Sequence, residues 1–477
     1  MPIFAGQRRV LGVVVASQLA SACSGGRPAE TSDALVITGV TIVDVLARDE
    51  GSALQGDQTV VIRGRHLQQI GPSGSVRIPR GARVIEAKGK YVLPGLWDAH
   101  VHISVQDDGI PGVFVANGVT TARDLGYRIP REIREGRIIG PRLFASGPVI
   151  ESATWMDAVL REIAADTSLG FLKAVFEDYP RYRLASPSEG QAAVDSLSRL
   201  GADLIKFRFL GGDEARAVGA AARSRGIPLI GHAPAGISIG EAAEAGMRSI
   251  EHAETITPRL GDANEAVRRA EFERVARAGC AITPTLMMNV GFRLSSDSMA
   301  AAVVADSANR IDGRRKYLPR SFIAAWKIAL RDKLDARSTD WVASHRRQLE
   351  DMRLAHAAGV RLLVGADAGD LLVYPGFSVH EELRLFVDDL GLSPLEALRS
   401  ATVYPAESMG VADSMGTVRR GNIADLVVLD ASPLADIRNS ERIHAVILAG
   451  RFFGRGELDA LLSRAEHLAR ASWERPN

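Results

Sequence analysis

The segment Asp98-Ala99-His100-Val101-His102 sets two imidazoles two residues apart, just after the strand-like run Tyr91-Val92-Leu93-Pro94-Gly95-Leu96-Trp97. On a β-strand such residues project from the same face, so His100 and His102 can reach one cation. Imidazole and carboxylate suit zinc or a neighbouring first-row ion, and catalytic sites of this kind keep a position open for water. An isolated pair is weak evidence, because polar side chains are more often simply satisfied or solvated. Its company strengthens it. Lys206 ends Ala202-Asp203-Leu204-Ile205, His232 closes Ile227-Pro228-Leu229-Ile230-Gly231, and His252 closes Arg248-Ser249-Ile250-Glu251. Asp367 ends Val360-Arg361-Leu362-Leu363-Val364-Gly365-Ala366, where small residues permit close backbone approach. Taken singly, these are a snorkelling lysine, two core or surface histidines and a helix cap. Recurring once per βα unit, they form a six-ligand set for a pair of divalent metals and point to metal-dependent hydrolysis.

Lys206 is the unusual member of this set. A lysine facing the interior of a barrel is costly unless it is paired or has lost its charge. Desolvation and nearby cations lower an amine's pKa, and a neutral amine can add carbon dioxide. The resulting carbamate is a carboxylate-like bridge for two metals.

Residues so far apart in sequence converge only if one fold brings strand ends together. In a (β/α)8 barrel the C-terminal ends of the strands ring one mouth. Between residues 93 and 415, β runs alternate with helical stretches such as 189–200 and 214–225, as a barrel requires. The flanks differ. Residues 35–92 hold short β runs separated by Gly and Pro turns, and the same character returns over 416–455. This pattern predicts an α/β chain with a TIM barrel inserted in a small β-sandwich built from both chain ends, followed by a C-terminal helix or tail, 456–477. Residues 287–357 are too long for a βα connection and predict added helices over the mouth. The loop running from Tyr374 into His380-Glu381-Glu382 follows the last strand, which makes His380 a candidate substrate contact or support for the metals.

The same residues carry a resemblance. Tyr91 to His102, Gly118-Val119-Thr120-Thr121-Ala122-Arg123-Asp124-Leu125-Gly126, Ala202 to Lys206, Ser249 to His252, Gly365 to Gly369 and the tail from Ser393 to Asp430 are similar to the amidohydrolase superfamily. The closer likeness is to its imidazolonepropionase-like and Xaa-Pro dipeptidase-like branch, which has a binuclear metal site. The resemblance implies that His100, His102 and Asp367 hold one metal, His232 and His252 the other, with carboxylated Lys206 as the bridge. It further implies two divalent ions, zinc by preference, and a bridging hydroxide as nucleophile. Asp367 would take the proton and pass it to the leaving nitrogen. Phe207 departs from the pattern, since relatives often carry a tyrosine near that point.

Composition and leader narrow the remaining classes. The chain has 477 residues and a formal net charge of +1, which suits a barrel plus a satellite domain and gives no support for nucleic-acid binding. Residues 1–22 read as a signal peptide: Arg8-Arg9, an apolar stretch from Val10 to Ala16, then the small-x-small site Ala20-Ser21-Ala22. Cys23 with Ser24-Gly25-Gly26 resembles a lipoprotein acceptor, and residues 23–34 would be a linker. The expectation is an exported protein, periplasmic or lipid-anchored. Cys280 sits in an apolar stretch and reads as a small buried hydrophobe. The expected substrate is a small molecule or dipeptide cleaved at an amide or cyclic amide C–N bond; whether the chain is a homo-oligomer is open. The alternatives are a mononuclear deaminase of the same superfamily and a noncatalytic binding lipoprotein. Lys206 argues against the first, and a complete ligand set against the second.

Overall fold

The computed structural model describes residues 33–103, 109–126, 128–165, 180–291, 295–335 and 340–474. The leader and Cys23 lie outside the described residues.

Short runs rich in Val, Ile and Leu, separated by Gly and Pro turns, produce strands β1 (Ala34–Val43), β2 (Leu54–Arg63), β3 (His66–Pro72), β4 (Arg83–Glu86) and β5 (Tyr91–Pro94). The central part carries β6 (Leu96–Val101), β7 (Val119–Asp124), β8 (Arg142–Ala145), β9 (Val149–Ser152) and β10 (Arg181–Leu184). It continues with β11 (Ile205–Arg208), β12 (Leu229–Gly231), β13 (Met247–Glu251) and β14 (Ala281–Thr283). After it come β15 (Leu426–Leu429), β16 (Ile443–Leu448), β17 (Arg451–Gly454) and the helix Arg455–Glu474.

Both chain ends meet in one eight-stranded sheet, ordered β17-β16-β15-β5-β1-β2-β3 with β4 on β1. The period of two divides its side chains. Ile37, Ile62, Leu426 and Val428 close one apolar cluster, while Leu93, Val427, Leu429 and Val446 face the main core.

The apolar run 91–97, which reads as one strand, is cut at Gly95. Its first half belongs to the eight-stranded sheet, its second to the parallel sheet β6-β7-β8. A Cβ at Gly95 would lie 2.0 Å from Thr120 Oγ1, so only glycine lets the chain cross there. A second parallel sheet has the order β10-β9-β11-β12-β13-β14. Backbone bonds outside the strands join the two. Asp203 N–H donates to Ala145 O at 2.9 Å beside β11, Leu363 N–H to Ile282 O at 2.8 Å, and Ala99 N–H to Val364 O at 2.9 Å. Residues 360–364 thus lie between β14 and β6. These parallel sheets with intervening helices make the chain a mixed α/β protein and are compatible with a barrel.

Helices Asp297–Ala305, Arg320–Asp335 and Trp341–Ala357 fill the long insertion. Phe322 and Trp326 there are buried, and the Trp326 ring meets Tyr374 edge-on at 5.1 Å between centroids. These aromatics pack the insertion. Among the described residues, no helix is long and apolar enough to cross a membrane.

Candidate active site

Strand ends deliver the six candidates to one place. His100 is on β6 and His102 one residue beyond it; Lys206 is on β11; His232 and His252 each directly follow their strands. Asp367 follows the 360–364 segment. All six line a single cavity of about 270 Å³. Gly365 permits the approach of that segment, since a Cβ there would lie 2.6 Å from Thr283 Cγ2 and 3.0 Å from His100 Cβ.

Within the cavity, His102 Nε2 lies 3.1 Å and His100 Nε2 3.7 Å from Asp367 Oδ1. The ligand atoms of these three residues all fall within 4.8 Å of one another, a spacing that one cation can close. The His100 and His252 ring centroids are 4.5 Å apart, and those of His232 and His252 4.9 Å. Lys206 Nζ is buried in this cavity and has no hydrogen-bond partner among the described residues. A buried ammonium in that situation is unstable. The donor set and the orphaned amine fit a metal site that has a ligand formed on Lys206.

Charge states follow from burial. Desolvation, reinforced by Lys206, holds the His100 and His232 imidazoles well below the usual histidine range, and burial also lowers His252. Burial pushes the Lys206 amine down to about 8, with Arg208 adding to the effect and Glu251 opposing it. For Asp367, burial would raise the pKa, but the facing His100, His102 and His252 hold the carboxyl well below the usual range. Neutral imidazoles and an ionised carboxylate are the forms that bind metal.

A supporting layer fixes the rings. His100 Nδ1 donates to Glu251 Oε2 at 2.8 Å, and Arg123 Nη2 donates to both oxygens of Glu251 at 2.9 and 3.1 Å. Arg123 Nε also donates to Ala99 O at 2.6 Å. Thr285 Oγ1 donates to Pro284 O, so it accepts from His252 Nδ1 at 2.8 Å. Each arrangement puts the proton on Nδ1 and leaves the Nε2 lone pair available. Asp98 Oδ1 accepts from the backbone N–H groups of His100 and Ala366, pinning β6 to the Asp367 segment. The backbone is strained at the same rim. Phe209, His252, Thr285 and Asp367 all have left-handed φ, between 48° and 67°.

Sequence reasoning missed this layer. Glu251 and Arg123 lay within stretches already quoted, and the available signal was their spacing. Ser249 and Glu251, like Thr121 and Arg123, are polar residues at i and i+2, on one face of their strand, and all four are buried. One other expectation resolves differently. His380 is not among the residues that line the cavity; on the helix Ser378–Asp388, its Nε2 donates to Asn117 O at 3.0 Å and its Nδ1 accepts from Ser440 Oγ at 2.9 Å. Following the last strand in sequence did not put it in the cavity, because its helix turns that side chain toward Asn117 before β7 and Ser440 before β16. Phe207, the departure from the family pattern, is fully buried in the main core. Cys280 is buried, as expected of a small hydrophobe.

Comparison with known proteins agrees with this geometry. Ochratoxinase from Aspergillus niger is 26% identical over 404 residues, covering 74% of this chain and 73% of that protein. A solved chain from Bifidobacterium longum, assigned as a prolidase, superposes with a TM-score of 0.66 at 26% identity, over 91% of this chain and 99% of its own. A Xaa-Pro dipeptidase solved with bound methionine shares the fold, with a TM-score of 0.64 at 22% identity over 88% of this chain and all of its own. The amidohydrolase family profile matches residues 91–453, and the chain therefore belongs to the amidohydrolase family, as a hydrolase acting on carbon–nitrogen bonds.

Proposed function

We propose that the chain hydrolyses an amide or cyclic amide bond in a small-molecule or dipeptide substrate, at a site that holds two divalent cations. Lys206 carries this reading: its buried amine has no hydrogen-bond partner among the described residues, in the cavity that four histidines and Asp367 also line. Carboxylation of that amine would replace a buried cation that lacks a hydrogen-bond partner with an anion between the two histidine sets. A mononuclear deaminase has no use for such a group. His100, His102 and Asp367 would hold one cation, and His232 and His252 the other, with Lys206 between them. Their nitrogen and oxygen donors suit zinc. When bound, the pair supplies Lewis acidity, polarising the scissile carbonyl and acidifying water.

The remaining work falls to the chain. Asp367 accepts a proton during attack and returns it to the leaving nitrogen. Glu251 and Thr285 keep the His100 and His252 rings in the tautomer that leaves Nε2 for the cation. The parallel sheets are read as a (β/α)8 barrel, and the eight-stranded sheet with its inner cluster as the small β domain built from both ends, over 35–92 and 416–455. This assignment leaves the mouth open to substrate while the β domain braces the chain ends.

A hydrolysis screen on metal-loaded protein tests the reading, with dipeptides of varied C-terminal residue, lactams and N-acyl amino acids. Turnover of at least one class, lost on chelation, is expected; no turnover across all classes would contradict it. Export and lipidation at Cys23 are proposed from the sequence alone. Metabolic labelling with a fatty acid should tag the wild-type chain and leave Cys23→Ser untagged, whereas an untagged wild type would rule out the anchor.

A further inference from the structure

Arg208 stands two residues beyond Lys206 on β11 and lines the same cavity. Its guanidinium is held from behind. Both Nε, at 2.8 Å, and Nη2 donate to Oε1 of Glu151, a fully buried carboxylate on the neighbouring strand β9. Glu151 Oε2 lies 2.9 Å from Arg181 Nε. Glu151 thus lies between the two guanidiniums. Of the two, Arg208 is the one that reaches the cavity, with a side chain 23% exposed against 4% for Arg181.

A second feature adjoins it. Phe209 follows Arg208 with a left-handed φ of 48° and remains 40% exposed, although it is a large apolar residue. Its ring stacks on Trp155 at 3.8 Å between centroids and meets His232 edge-on at 5.3 Å. The Arg208 guanidinium carbon is 5.5 Å from the same ring centre. A strained, exposed aromatic beside a fixed cation, in edge contact with the cavity residue His232, is placed to meet a substrate at the rim.

We propose that Arg208 is a specificity-determining residue that holds a carboxylate of the substrate, while Phe209 and Trp155 pack against the apolar group next to it. On the amide-hydrolase reading, on which this rests, the preferred substrates are N-acyl amino acids or dipeptides with a free carboxylate. A guanidinium keeps its charge and makes charge-assisted hydrogen bonds to carboxylates. Anchoring by Glu151 fixes it before substrate arrives, so little rotamer freedom is lost on binding. Glu254 and Asp370 also line the cavity, so an anion on those parts of the wall meets like charge. Glu151 and Arg181 are positioning residues for Arg208.

Calorimetry on metal-loaded protein tests this with two probes that carry no amide, 3-phenylpropionate and its neutral alcohol 3-phenylpropan-1-ol. Wild type should bind the acid about ten- to hundredfold more tightly, the range of a hydrogen bond to a charged group. Arg208→Gln should bring the ratio close to one. If that variant does not fold, Arg208→Lys keeps a charge for Glu151 but lacks the planar fork, and its ratio should fall several-fold. A ratio unchanged in the folded variant would mean that the cations hold the carboxylate, and it would overturn the proposal. Wild type with no preference for the acid would do the same. An Arg208-dependent preference without hydrolysis of any amide would support the carboxylate site and count against the amide-hydrolase reading alone.

Discussion

His100 and His380 are both buried histidines whose pKa burial lowers, yet their surroundings differ in how many ring nitrogens the protein uses. His100 gives Nδ1 to Glu251 and turns Nε2 toward Asp367 in the cavity. His252 repeats the pattern with Thr285. His380 spends both nitrogens, one on Asn117 and one on Ser440, and ties its helix to the sheet side of the molecule. A histidine with one nitrogen fixed from behind is prepared to receive a cation; one with both satisfied serves as a structural cross-link.

The strongest challenge to this contrast is at Lys206. Lys206→Ala should lose metal and reduce turnover by more than ~10²-fold, since even supporting residues around a metal cost 10–100-fold when removed. Added formate or acetate should restore part of the activity by standing in for the carbamate, and Lys206→Arg should not be active, because its guanidinium stays protonated. Unchanged turnover in Lys206→Ala, measured beside metal content, would break the account. Next is Asp367→Asn, which keeps an oxygen for metal but removes the base. Turnover should fall by ~10²–10⁴-fold while metal content falls less. Near-native turnover would reduce Asp367 to a scaffold.

Thr285→Val sharpens the contrast by converting His252 to a ring with no fixed nitrogen while keeping the β-branched shape. Metal affinity, read by competition with a chelator, should drop about 10–100-fold, and Thr285→Ser should recover it. Equal affinities in all three proteins would show that the ring needs no support. The smallest effect belongs to His380. Its pKa in the fold is about 4, lowered chiefly by burial from an ordinary 6.5. Between those values the unfolded chain takes up a proton that the fold refuses, so stability falls as pH drops from 6.5 toward 4, by at most ~3 kcal/mol. His380→Gln can still donate to Asn117 and should cost ~1 kcal/mol at pH 7 with metal content unchanged. The difference from wild type should shrink on acidification in denaturant titrations; a difference that widens, or a loss of metal, would contradict the cross-link.

The six cavity residues were legible because a βα repeat puts each strand end at the same level, and polar residues closing apolar runs reveal those ends. The strand ends alone could not reveal Glu251 and Arg123. Each works by meeting residues more than a hundred positions away, across strands whose register the sequence does not state. Gly95 shows the same limit for the fold. The run 91–97 has the pattern of one strand, and only the approach of Thr120 divides it. His380 misled for a related reason, since position after the last strand says which loop a residue follows and nothing about where its helix turns it.

Elemental analysis of gently dialysed wild-type protein tests the central claim most directly. Two incomplete ligand sets joined through Lys206 predict about two divalent ions per chain. A stoichiometry close to one in fully active protein would contradict the paired site and leave Lys206 without the role assigned to it.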